Sequence, residues 1–227
     1  MNKAKIIDLS HKIIPGKEHF PFEAEVDDVT KIIPYVKHHE GDWYVVGMIK
    51  YCTHIGTHIE APYHHKKDGL DIADFPFTKL IAPLIVMDFT KKKGREEITL
   101  DEVKAYDKQI KEGDIVFIWT GMDKLFHTDK WEERKPYITP EVAKWLVSKK
   151  VACVGTDTSD IEVPNLLVQP VHQTLFDANI PMVESAANLE LAQKNNYIVI
   201  ILPTPFVGLD STPCRIIGIP KEEFFWE

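Results

Sequence analysis

Three histidines and a glutamate fall within one short run, His54-Ile55-Gly56-Thr57-His58-Ile59-Glu60-Ala61-Pro62-Tyr63-His64. Imidazoles and a carboxylate are ligands suited to zinc, and also to manganese or iron. Nitrogen and oxygen donors too few to close a coordination shell leave room for water, which is the catalytic arrangement. A structural zinc site would normally use thiolates, and Cys52 is the single cysteine nearby. The zincin helix is excluded, because Ile55 rather than glutamate follows His54. One histidine alone would read as a hydrogen-bonded residue on a half-buried strand; the cluster is what points to a metal.

These residues need an element that points them the same way. Ile55, Thr57 and Ile59 are β-branched, Gly56 is a poor helix former and Pro62 follows, so the run reads as extended. Alternation then puts His54, Gly56, His58 and Glu60 on one face, with Gly56 leaving space between the imidazoles. His65 would point away from His64 as a surface histidine. Of the ten histidines, His38, His39 and His127 lie in polar surroundings and read as solvated, while His11 and His19 stay undecided. Asp157 either orients a ligand or caps a turn.

Strand patterns occupy Lys5–Leu9, Val45–Thr53, Ile81–Phe89, Asp114–Trp119, Val151–Gly155, Tyr197–Leu202 and Arg215–Ile219. Thr99 and Glu102 form a capping-box pattern opening a helix to about Lys111. Thr139-Pro140 opens another, with Val142, Trp145 and Leu146 as its buried stripe. Asn165–Ala178 and Ala186–Asn195 read as two more. The stretch Met122–Pro136 is either a surface excursion or part of a pocket rim. Strands and helices intermixed along 227 residues indicate a single α/β domain with a mixed sheet over 1–227.

The formal charge of −8 repels a phosphate backbone and argues against nucleic-acid binding. No apolar run reaches the length of a membrane span, and the N-terminus lacks a signal-peptide core. Three cysteines without CxxC spacing read as reduced thiols, so a cytoplasmic location is expected.

Thr53 to His64, THIGTHIEAPYH, resembles the HxGTHxDxPxH signature of the cyclase family, which includes bacterial kynurenine formamidases and isatin hydrolases. Val154-Gly155-Thr156-Asp157-Thr158-Ser159, His172, the segment from Ile180 to Leu189, Ile7 to Ser10 and the region from Thr204 to Ile219 extend the likeness over most of the chain. The resemblance implies a barrel-like β core flanked by helices, assembled as a homodimer or homotetramer. It implies one or two divalent ions per chain, zinc first and manganese second. His54 and His58 would bind one ion, Glu60 would bridge to the other, and His172 with Glu184 would complete the pair. His64 would be the general acid/base for hydrolysis of a small amide. A histidine that the metal does not require favours an enzyme over a non-catalytic metal-binding protein.

Three departures bear on specificity. Glu60 stands where the family signature has aspartate. Phe20 replaces the substrate-contacting tryptophan of the formamidases, keeping an aromatic face but losing the indole N–H. Glu184-Ser185-Ala186 replaces the family's Glu-Asn-Leu, giving a smaller wall. An aryl formamide such as N-formylkynurenine is the expected substrate class, with a cyclic amide of the isatin type as the alternative.

Overall fold

The structure is a computed structural model that describes residues 6–131, 135–164, 167–194 and 196–224. The strands are β1 (Ile7–Asp8), β2 (Phe22–Asp28), β3 (Val45–Tyr51), β4 (His58–Glu60), β5 (Ile81–Asp88) and β6 (Glu97–Ile98). They continue with β7 (Ile115–Trp119), β8 (Tyr137–Ile138), β9 (Cys153–Thr156), β10 (Met182–Glu184), β11 (Tyr197–Pro203) and β12 (Ser211–Pro220). The helices are α1 (Val29–Ile32), α2 (Leu100–Lys104), α3 (Pro140–Ser148) and α4 (Pro170–Asp177).

The main sheet runs β1-β12-β11-β5-β7-β9-β10-β4, and a further pairing of β12 with β4 closes seven of its strands into a mixed barrel. Long β12 makes this closure possible: residues 214–220 pair with β11, while residues 211–213 pair with β4. The parallel strands β5, β7 and β9 are covered on both faces, which explains their near-continuous apolar sequence. Leu84, Val86, Ile115, Phe117 and Ile59 fill the barrel interior. Ile85, Met87, Val116 and Ile118 face outward beneath Val142 and Leu146 of α3 and Val171, Leu175 and Phe176 of α4. Gly155 is required inside: a Cβ there would lie 2.4 Å from the Phe117 ring.

Several sequence expectations need correction. The capping box forms, but its helix stops at Lys104 and continues as turns toward Ile110. Helix α3 buries Ala143 with Val142 and Leu146, while Trp145 is only partly buried. Helix α4 starts at Pro170, and Asn165 lies outside the described residues, as does Lys5 at the start of the first predicted strand. In the predicted helix Ala186–Asn195, whose last residue lies outside the described ones, the chain forms a 3₁₀ turn over Leu189–Ala192 instead. Ser185 and Asn188 sit at positive φ, which breaks any helix across them, and the amides of Ala186 and Ala187 bond the Thr156 and Leu9 carbonyls.

Candidate metal centre and its cavity

The run His54–Glu60 is not one extended strand, as its β-branched residues suggested. Only His58–Glu60 is strand; the chain turns through residues 53–57, with Gly56 at φ +59°. Glycine is needed there for conformation and for room, because a Cβ would meet Ile13 Cγ1 at 2.7 Å. It is not a spacer between imidazoles. Thr57 anchors the turn, donating to the Ser185 carbonyl at 2.5 Å and accepting from the His11 amide at 2.8 Å.

Strand register then assembles the cluster. In the antiparallel β4–β10 pair, Glu184 stands opposite His58 and Val183 opposite Ile59. Ile59 and Val183 enter the barrel interior, so His58, Glu60 and Glu184 leave on the other face. Helix α4 lays buried His172 over them. His58 Nε2 lies 3.5 Å from Glu60 Oε1 and 3.3 Å from Glu184 Oε2. His172 Nε2 lies 3.4 Å from both Glu60 Oε2 and Glu184 Oε1. Nevertheless His58 Nε2, Glu60 Oε2 and Glu184 Oε1 are buried without a hydrogen bond. Buried polar atoms that converge without bonding one another fit a shared cation. His54-His58-Glu60 and Glu60-His172-Glu184 each bring their donor atoms within 4.8 Å of one another, and Glu60 belongs to both sets.

The ring nitrogens turned away from this centre are held by other groups. His58 Nδ1 bonds the Gly56 carbonyl at 3.0 Å, and His172 Nδ1 bonds Glu162 Oε1 at 2.8 Å. Such bonds fix the tautomer that leaves Nε2 as the ligand. The centre is rich in carboxylates, and in the chain alone imidazolium protons balance them. Burial disfavours a charged His54, but Asp210 and Glu60 outweigh it and push its pKa up to about 10. Burial likewise opposes charge on His58, which Glu184 and Glu60 push up to about 9. Glu60 is held well below the usual carboxylate range: burial opposes this, and His172, His54 and His58 overcome it. The buried carboxylates that raise these imidazole pKa values would equally favour a divalent ion, which would displace the ring protons.

His64, on a 3₁₀ turn begun by Pro62, lines the adjacent cavity of about 660 Å³. Phe20 lines it as well, half exposed, its ring 6.5 Å from that of His54. The stretch after Met122 proves to be cavity wall, because Phe126 and Trp131 line it with ring centroids 4.9 Å apart; residues 132–134 lie outside the described ones. His19 joins this wall.

Other histidines depart from expectation. His65 is not a free surface group: it stacks on His172 at 5.5 Å and bonds Gln169 at 2.9 Å. His127 pairs with Glu18 at 2.9 Å. Asp157 accepts from Thr120 and Asp123, so it organises a turn and touches no member of the cluster; burial pushes its pKa up to about 6. Two carboxylates escaped the sequence reading. Glu162 has no motif to mark it, whereas Asp210 lies inside the C-terminal stretch that carried the family likeness.

A closed barrel bearing a His/Glu cluster beside a cavity histidine is the layout of a metal-dependent hydrolase. The chain belongs to the Cyclase family, whose model ("Putative cyclase") matches residues 7–163. It is 25% identical to the kynurenine formamidase of Salinibacter ruber, over 93% of this chain and 96% of the relative. It is 29% identical to the isatin hydrolase of Roseibium aggregatum, over 79% and 75% of the two chains. A crystal structure of an isatin hydrolase bound to the product analogue thioisatinate shares the fold, with a TM-score of 0.80, 22% identity and coverage of 96% and 94%.

Proposed function

We propose that this chain hydrolyses an aryl formamide of the N-formylkynurenine type, using one or two divalent ions held by His54, His58, Glu60, His172 and Glu184. The observation that carries this reading is the unbonded convergence of His58, Glu60 and Glu184 beside a cavity that His64 also lines. When bound, the ion supplies Lewis-acid activation of water and of the scissile carbonyl. Zinc is the first choice for this donor set and manganese the second. His64 Nε2 hands a proton to the departing nitrogen. Phe20, Phe126 and Trp131 take the aromatic ring of the substrate and keep water away from it. A cyclic amide of the isatin type is the second reading, supported by the similarity to the Roseibium enzyme.

A panel of N-formylkynurenine, formanilide, isatin and an aliphatic formamide tests this. Turnover of both aryl formamides by metal-loaded protein is expected, with little selectivity between them, because Phe20 lacks the indole donor. Turnover of isatin alone would favour the second reading, and turnover of the aliphatic formamide alone would refute the aromatic one.

The chain is also proposed to act in the cytoplasm as a homodimer or homotetramer. Among the described residues, no helix is long and apolar enough to cross a membrane. The β2–β3 hairpin exposes Val26, Met48 and Ile49, and apolar surface of this kind favours a protein contact. Sedimentation of the purified chain as a monomer would refute the assembly.

A further inference from the structure

Asp210 occupies the position just before β12, and its placement is tied to the ligand strand. Its main-chain carbonyl accepts the Ala61 amide at 2.8 Å, and the next residue, Ser211, pairs with Glu60. A single oxygen, Oδ2, lies 2.9 Å from His54 Nε2 and 2.8 Å from His64 Nδ1. The other oxygen accepts from Thr53 Oγ1 at 3.3 Å. One carboxylate therefore holds a ligand of the centre and the cavity histidine together, with their rings 4.8 Å apart.

This fixes which nitrogen of each ring is free to act. With its Nε2–H donated to Asp210, His54 presents Nδ1 to the centre, and that atom already lies 2.8 Å from Glu60 Oε1. His54 thus faces the centre through the opposite nitrogen from His58 and His172, whose Nδ1 atoms are taken by Gly56 and Glu162. With its Nδ1–H donated to the same oxygen, His64 keeps Nε2 as its reacting atom. Asparagine would keep an oxygen for the two ring N–H groups but not the charge, so both of these bonds would lose their charge assistance.

We propose that Asp210 is the positioning residue of the site, setting His54 to ligate through Nδ1 and His64 to exchange protons through Nε2. The kinetic part rests on the amide-hydrolase reading; the ligation part does not. The test uses the full-length protein, ¹⁵N-labelled at histidine and loaded with ¹¹³Cd. Metal–nitrogen coupling through Nδ1 of His54 and through Nε2 of His58 and His172 is expected. Coupling through His54 Nε2 would overturn the assignment, and absence of any imidazole coupling would overturn the centre and the assignment together.

Asp210→Asn and Asp210→Glu supply the second arm. For Asp210→Asn we expect metal affinity to fall about 10–100-fold, in line with the loss of a group that orients a ligand. Its kcat on an aryl formamide should fall about 10²-fold or more with KM changed only a few-fold, and Asp210→Glu should recover part of both. Unchanged affinity and kcat in a folded Asp210→Asn variant would overturn the proposal. Weakened metal binding without any amide turnover in the wild type would sink only the hydrolase reading.

Discussion

Glu184 stands directly across the β4–β10 ladder from His58, its Oε2 3.3 Å from His58 Nε2. The relationship is a matter of register: a slip of β10 by one residue would send Glu184 into the barrel interior now filled by Val183, away from His58. Packing of two β-branched apolar residues therefore helps fix the geometry of the polar centre behind them.

His58→Ala should remove an ion from the centre, because the remaining ligands leave it under-coordinated. Mass spectrometry of native protein or elemental analysis checks this, and retention of metal at the wild-type level would contradict the site. Glu60→Asp, the family residue, should change either the number of ions held or the turnover, because Glu60 belongs to both donor sets.

Gly155→Ala should destabilise the barrel by about 1–3 kcal/mol, the usual cost of overpacking. The new methyl would meet the Phe117 ring on the neighbouring strand β7. Denaturant titration measures the effect; an unchanged midpoint would show that the ring can move aside.

His11 supplies a pH-dependent contribution away from the centre. Its ring stacks on Phe126 at 4.0 Å and its Nε2 is buried without a partner. Burial lowers its pKa to about 4; Asp123 opposes this, while His127 and Lys124 add to it. The folded value lies below the unfolded value of 6.5. The stabilising contribution is thus complete above pH 6.5 and lost as pH falls through 4. With partial exposure taken into account, about 1–3 kcal/mol is at stake. His11→Phe keeps the stacking and removes the titration, so its stability should fall less than that of wild type between pH 7 and 4. Parallel stability curves for the two proteins would refute this role.

The chemistry was more legible in the sequence than its geometry. His54, His58, Glu60 and His64 could be read as a cluster because they are close in sequence and separated by β-branched residues. His172 and Glu184 reached the list through the family likeness alone, because strand pairing and helix docking bring them in. The turn at Gly56 was misread since a positive φ leaves the same sequence signature as a spacer. Strand β10 went unseen, being three residues long, and the helix expected after it is broken by the positive φ of Ser185 and Asn188. Glu162 carries no local signal, and Asp210 lay within the C-terminal stretch of the family likeness without being singled out, because the partners of both are distant histidine nitrogens.

The most direct test of the central claim follows bound metal and turnover in the same samples. Protein stripped with a chelator, confirmed metal-free by elemental analysis, is titrated with zinc or manganese while hydrolysis of an aryl formamide is recorded. We predict no turnover in the stripped protein, then a rise in proportion to bound metal up to one or two ions per chain. His64→Ala should bind the same metal with kcat about 10²–10⁴-fold lower. Full activity in the stripped protein, or no hydrolysis of any amide once the centre is saturated, would contradict a metal-dependent amide hydrolase.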